Sequence, residues 1–204
     1  MGQCSYSQAI QSSTLKVVTA PSVNRVYMDN GTGANTDVSV FQADLKSIPE
    51  GAFMIGDVAI NVHSSTIPTS SVLLVKPDGS GDVISPPTGY ELVWKDSGSG
   101  GRQDGSFWRV QAPYGYVALG DVACNGYDPP PPSFTAKYAC IRGDLVREGV
   151  LNNAPVWTDR GSGAKMDLSI WKVDGDGLCG FFKAQGGYDK PAYKVFVLPA
   201  VVSF

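Results

Sequence analysis

The sequence predicts an all-β domain with internal threefold repetition, and three observations carry that expectation. Gly (24) and Pro (14) are abundant, as a chain of short strands and many turns requires. No segment sustains a helical period over about 11 residues, so helices are expected to be nearly absent. One sixteen-residue window recurs three times without gaps.

The first copy runs from Val26 through Tyr27, Asp29, Gly31, Gly33, Asp37 and Ser39 to Phe41. The second runs from Val93 through Trp94, Asp96, Gly98, Gly100, Asp104 and Ser106 to Trp108. The third runs from Val156 through Trp157, Asp159, Gly161, Gly163, Asp167 and Ser169 to Trp171. Six of the sixteen positions are identical in all three copies, and the starts at Val26, Val93 and Val156 are nearly evenly spaced.

Further apolar segments follow each window. Gly51 to Ala59 (GAFMIGDVA) matches Gly115 to Ala123 (GYVALGDVA), whereas the third copy departs, with Gly177 to Ala184 (GLCGFFKA). Val72–Pro77, Tyr138–Arg142 and Tyr193–Pro199 then supply a last strand. About four strands per module are expected, bounded by turn residues. Three four-stranded antiparallel sheets around a pseudo-threefold axis make a β-prism. The alternative is a β-trefoil, whose modules are shorter, nearer the ~40–50 residues of other four-stranded repeat units. The expected organisation is one domain with modules at about 20–85, 86–150 and 151–204, and with residues 15–19 closing the ring onto the last module.

Composition narrows the function. Apolar residues are 43% and charged residues 17% of the chain, a globular balance. Net charge is −3 with no basic stripe, which argues against nucleic acid. No apolar run is long enough for a membrane-spanning helix, and residues 1–14 lack the apolar core of a secretory signal. The four cysteines (4, 124, 140, 179) show no metal-ligand spacing and read as reduced. A cytoplasmic product is expected, one that can still act outside the producing cell.

Strand side chains alternate between faces. Tyr27, Trp94 and Trp157 share a face with Asp29, Asp96 and Asp159 in the first strand. Asp37, Asp104 and Asp167 share one with Ser39, Ser106 and Ser169 and with Phe41, Trp108 and Trp171 in the second. Val26, Met28, Val38 and Val40 form the apolar face, read as core. The polar and aromatic face suits a sugar, with hydroxyl partners beside flat rings. Matched aromatics are somewhat more often packing anchors than ligand platforms, and that alternative stays open here.

In a symmetric hairpin Asp29 lies opposite Asp37, and likewise Asp96 opposite Asp104 and Asp159 opposite Asp167. Facing carboxylates need compensation. Backbone N–H groups of the Gly-rich turn are the first candidate. A hard cation such as Ca²⁺ on these pairs is the second, and a ligand hydroxyl the third. No resident cofactor is otherwise expected.

Enzyme motifs are missing. His63, the only histidine, stands in a Ser/Thr-rich stretch with no evident repeat partner, and no G-x-S-x-G elbow accompanies it. Gly98–Gly101 and Gly161–Gly163 lack the lysine of a phosphate loop. Paired carboxylates in three copies argue against one glycosidase centre. Pro129–Pro132 reads as a stiff loop.

Tyr90–Gly100 (YELVWKDSGSG), Asp104–Arg109 (DGSFWR), Ala112–Ala123 (APYGYVALGDVA), Cys140–Val146 (CIRGDLV) and Trp157–Ala164 (WTDRGSGA) carry a resemblance. They resemble the family named after vacuolar-protein-sorting protein sixty-two. That family is similar to β-prism domains attached to perforin-like pore-forming proteins, insecticidal ones included. The resemblance implies a β-prism with a recognition role and supplies no ligand residue. The first expectation is therefore a non-enzymatic module binding glycans or glycoconjugates on a target surface, in defence. The alternatives are a protein-binding trafficking adaptor and a toxin acting at a membrane surface.

Overall fold

A computed structural model of the chain describes residues 15–78, 81–175, 177–178 and 180–199. Among these residues each module contributes six strands. The first holds β1 (Leu15–Thr19), β2 (Val23–Met28), β3 (Ser39–Ala43), β4 (Phe53–Met54), β5 (Val58–Ile60) and β6 (Leu73–Pro77). The second holds β7 (Ile84–Ser85), β8 (Gly89–Lys95), β9 (Gly105–Gln111), β10 (Tyr116–Val117), β11 (Val122–Asn125) and β12 (Cys140–Arg142). The third holds β13 (Arg147–Leu151), β14 (Trp157–Thr158), β15 (Leu168–Asp174), β16 (Gly177–Leu178), β17 (Phe182–Gly186) and β18 (Val195–Pro199).

The strands pair by one rule in all three modules. The repeated hairpin and the fifth strand make one antiparallel sheet: β2-β3-β5, β8-β9-β11 and β14-β15-β17. The first, sixth and fourth strands make another: β1-β6-β4, β7-β12-β10 and β13-β18-β16. In the third module β13 also pairs β15, joining the two sheets. The fold is thus all-β and prism-like, as expected. Each module has six strands where four were expected, because two-residue pieces such as β4, β7 and β10 are too short to show a period. Leu15–Thr19 does not close onto the last module; it pairs with β6 of its own, Leu15 against Pro77 through Thr19 against Leu73.

Among the described residues the only α-helical segment is the single turn α1 (Pro132–Thr135). Pro132 opens it at the position where a missing N–H costs nothing. The proline run therefore ends in a helical turn, not in a plain loop.

Hairpin register departs from the symmetric reading by one residue. Tyr27 pairs Val40 and Met28 pairs Ser39, after a bulge between Arg25 and Tyr27. Trp94 pairs Phe107 after a similar bulge, and Trp157 pairs Ile170. Directly paired residues share a face. The first-strand aromatics therefore side with Val38 and Val40, Phe107, and Leu168 and Ile170. These residues form one buried cluster where the three hairpins meet. Ser39, Ser106 and Ser169, with Phe41, Trp108 and Trp171, occupy the opposite face, and that face is buried as well. Both sides of the second strand are core, so the wet polar-aromatic face is not there.

Candidate functional site

Tyr27, Trp94 and Trp157 converge edge to face, with Tyr27–Trp94 and Trp94–Trp157 centroids 6.0 and 5.9 Å apart. Each reaches toward the next module's first aspartate. Trp94 Nε1 donates to Asp159 Oδ2 at 3.0 Å and to the Met166 carbonyl at 2.9 Å. Trp157 Nε1 donates to Asp29 Oδ2 at 3.1 Å and to the Thr36 carbonyl at 2.7 Å. Tyr27 holds the matching place toward Asp96, but its buried hydroxyl has no partner. Burial, and then the nearby Asp96, Asp29 and Asp159, push that hydroxyl far above its ordinary pKa.

The first aspartates are capped by the amide at or just before the start of the second strand. Val38, Gly105 and Leu168 N–H donate to Asp29, Asp96 and Asp159 at 2.9, 3.2 and 2.8 Å. Backbone capping is thus present, but its donors lie beyond the turn glycines that were expected to supply them. The turns bond to one another in a ring instead: Arg102 N–H to Asn30, Lys165 N–H to Ser97, and Asn35 N–H to Arg160. Gly31, Gly98 and Gly161, all at positive φ, bring the turns into contact there.

The serines work inside the fold. Ser39, Ser106 and Ser169 hydroxyls donate to the carbonyls of Val62, Gly126 and Gly187. Trp108 and Trp171 indoles donate back to Ser106 and Ser169. Of the fourteen sequence-selected residues, eleven are buried: Tyr27, Asp29, Ser39, Trp94, Asp96, Ser106, Trp108, Trp157, Asp159, Ser169 and Trp171. Packing excludes a sugar from these rings, so the aromatic platform is a core motif.

Asp37, Asp104 and Asp167 remain exposed, and each meets a side chain that was not selected. The Tyr127 hydroxyl lies 2.9 Å from Asp96 Oδ1 and 3.0 Å from Asp104 Oδ1. The Tyr188 hydroxyl donates to Asp167 at 3.0 Å, beneath the Arg160 guanidinium 3.7 Å from its ring. Desolvation and the adjoining carboxylates keep both phenols protonated well above their usual range. In the first module His63 Nε2 fills this place, 2.7 Å from Asp29 Oδ1 and 3.6 Å from Asp37 Oδ1. His63 therefore does have repeat partners. The signal is in the sequence: each of Asp57-Val-Ala-Ile-Asn-Val-His63 and Asp121-Val-Ala-Cys-Asn-Gly-Tyr127 ends six residues past its aspartate.

Two further acids were missed. Asp57 is fully buried and accepts from Gln42 Nε2 and from Ala123 N–H of the second module. Burial raises its carboxyl to about 7, against the lowering effect of those bonds. Asp121 accepts from Lys183 Nζ and from Ala184 N–H of the third module. Phe182 occupies the corresponding place in the third module, so this link is made twice and not three times. The thiols of Cys124 and Cys140 are free, and burial pushes both up to about 12. Cys4 and Cys179 lie outside the described residues.

Open surface with relief lies where the first and third modules meet. A hollow of about 920 Å³ has Val58, Ile60 and Pro155 beside Ser70, Asn152, Asn153 and Lys172. A second, of about 390 Å³, adds Asn35, Thr36 and Asp37 and shares Asn61, Pro155 and Val156 with the first. At the junction of the second and first modules, Gln103 takes the place of Thr36 and donates to the Val26 carbonyl. Thr36 is too short to span the equivalent gap.

Three six-strand modules, joined around an axis by a ring of turn-to-turn backbone bonds and at two seams by buried indole–carboxylate bonds, define an all-β, pseudo-threefold protein of the prism kind. The chain belongs to the vacuolar protein sorting-associated protein 62 (Vps62) family, whose model matches residues 1–177. The crystal structure of GNIP1Aa from Chromobacterium piscinae is similar in fold, with a TM-score of 0.73 and 30% sequence identity over 89% of this chain. The match covers 34% of GNIP1Aa, so the chain spans about a third of that protein's length. No curated protein matches the chain. No helix among the described residues is long and apolar enough to cross a membrane.

Proposed function

We propose that this chain is a non-enzymatic recognition module that binds glycans or glycoconjugates on a target surface, in a defensive role outside the producing cell. The observation that carries the reading is the groove between the first and third modules. It is lined by Asn61, Asn152, Asn153 and Ser70, which carry amide and hydroxyl groups, together with the apolar Ile60 and Pro155. Sugars need that combination of hydroxyl partners and an apolar surface. The reading replaces the buried tryptophans as contact residues. Family membership and the resemblance to prism domains of perforin-like proteins support a recognition role, and neither specifies the ligand.

A labelled chain applied to a glycan array should bind a restricted sugar class. The Asn61→Ala/Asn153→Ala variant should lose about tenfold or more of that binding, the worth of one or two hydrogen bonds, with its melting temperature unchanged. An array without signal across broad sugar classes, or binding indifferent to the variant, would overturn the reading.

A further inference from the structure

We infer that Asp29, Asp37 and His63 form a binding site for one divalent first-row transition ion of the Zn²⁺ class, present in the first module only. The inference stands apart from the glycan reading and rests on the geometry of these three side chains.

The donors come from three separate segments: Asp29 from the end of the first hairpin strand, Asp37 from just before β3, and His63 from the loop after β5. One ligand atom from each lies within 4.8 Å of the others. Metal–ligand bonds of about 2.0–2.2 Å place neighbouring donors roughly 2.9–3.5 Å apart in tetrahedral or octahedral geometry. The observed 2.7 and 3.6 Å from His63 Nε2 to the two carboxylates bracket that range. The His63 nitrogen is thus placed at metal-sharing distance from both carboxylates.

Chemistry selects the ion class. An imidazole nitrogen with two carboxylates suits Zn²⁺ and its neighbours, whereas Ca²⁺ takes six to eight oxygens at about 2.3–2.6 Å. The two carboxylates supply two negative charges to match a divalent ion. The close approach of His63 Nε2 to the Asp29 carboxylate requires a positive centre between them, either a proton on Nε2 or a metal. In the metal-bound form the Nε2 lone pair is the ligand and the ring carries its proton on Nδ1.

Outer partners fix the site. The Val38 N–H and the Trp157 indole hold the two oxygens of Asp29 from behind, the kind of support that orients a metal-binding carboxylate. The His63 side chain is 35% and that of Asp37 54% exposed, so solvent can reach the ion and fill its remaining positions. The other modules give an internal control. There Tyr127 and Tyr188 place a protonated hydroxyl against the carboxylates, and a phenol that keeps its proton is a hydrogen-bond donor. Three similar clamps therefore predict one ion per chain and not three.

The test is titration of the full chain, stripped with a chelator, with Zn²⁺ by calorimetry and with Co²⁺ by visible absorption. His63→Tyr installs the residue that the other two modules already use, and Asp37→Asn changes an exposed side chain, so both variants should fold. The expected result is saturable uptake of one ion per chain with a Zn²⁺-dependent rise in melting temperature, and no rise with Ca²⁺. Each variant should weaken uptake by at least about tenfold and abolish the rise. Absence of saturable uptake would overturn the inference. So would uptake undiminished in His63→Tyr, which would put the ion on the thiols or elsewhere.

Discussion

Trp157 gives its indole N–H to a carboxylate 128 residues away, and Tyr27, at the matching place one module on, gives its hydroxyl to nothing. One chemical deletion therefore has opposite expected signs at the two positions. Trp157→Phe leaves Asp29 Oδ2 and the Thr36 carbonyl short of a donor inside the fold. It should cost about 1–3 kcal/mol, seen as a lower urea midpoint at unchanged slope. Tyr27→Phe removes a buried, unpaired hydroxyl and should be neutral or stabilising in the same measurement. Asp57 adds a pH signature. Its carboxyl has an ordinary value of 3.8 and sits at about 7 when folded. The folded chain thus holds a proton that the unfolded chain releases between about pH 4 and 7. Its contribution is most favourable at the acid end and is lost as pH rises through 7. Asp57→Asn removes the titration, and a flip of the Gln42 amide gives the new side chain a partner. Wild-type stability measured relative to Asp57→Asn should fall between about pH 4 and 7 and level off above. A flat difference would contradict the raised value. At this scale the sequence showed the aspartates, serines and rings but not their partners, because a bond between the first and last modules leaves no local pattern.

The hairpin shows where element-level reading succeeds and where it slips. Alternation within each strand was legible: Tyr27 and Asp29 do share a face, as do Ser39 and Phe41. Pairing across the hairpin was not, because the long segment 29–38 lies between the paired Met28 and Ser39, and a bulge precedes Tyr27. A shift of one residue exchanges the faces that the rings share, and burial of both faces of the second strand turned an expected sugar platform into core. Gly105 records the same packing. Val38 and Leu168 occupy its place in the other hairpins, yet a β-carbon there would overlap the Tyr27 ring. Gly105→Ala should therefore cost about 1–3 kcal/mol by overpacking. Most of that cost should disappear in a Tyr27→Leu background, measured as a double-mutant cycle. Additive losses would show that the ring and the glycine are not coupled. The β1 assignment failed for a related reason: Leu15–Thr19 has a strand's composition, but nothing in that composition says which edge it joins.

On the scale of the molecule, the threefold repeat was the most legible feature, since six identities in each window survive in all copies. The sites were far less so, because divergence among the copies lies outside the windows' identical positions. His63 replaces a tyrosine, Phe182 replaces an aspartate, and Thr36 stands where the other copies have Gln103 and Met166; the spacing places these changes in the sequence, but what each one touches is set by the fold. These substitutions give a symmetric frame one metal-competent corner and a groove at the junction of its first and third modules.

The passing of donors from each module to the next also fixes how many modules there can be. Every unit offers a head and a tail that fit different neighbours, and a head-to-tail chain of units has no free ends only when it closes on itself. Stacked repeat proteins can gain or lose a unit and cap the ends. Here a fourth unit, or the loss of one, would break the ring of turn-to-turn backbone bonds that runs through all three seams. Mutation can reshape single corners of this ring, but its copy number can change only by rebuilding all of it.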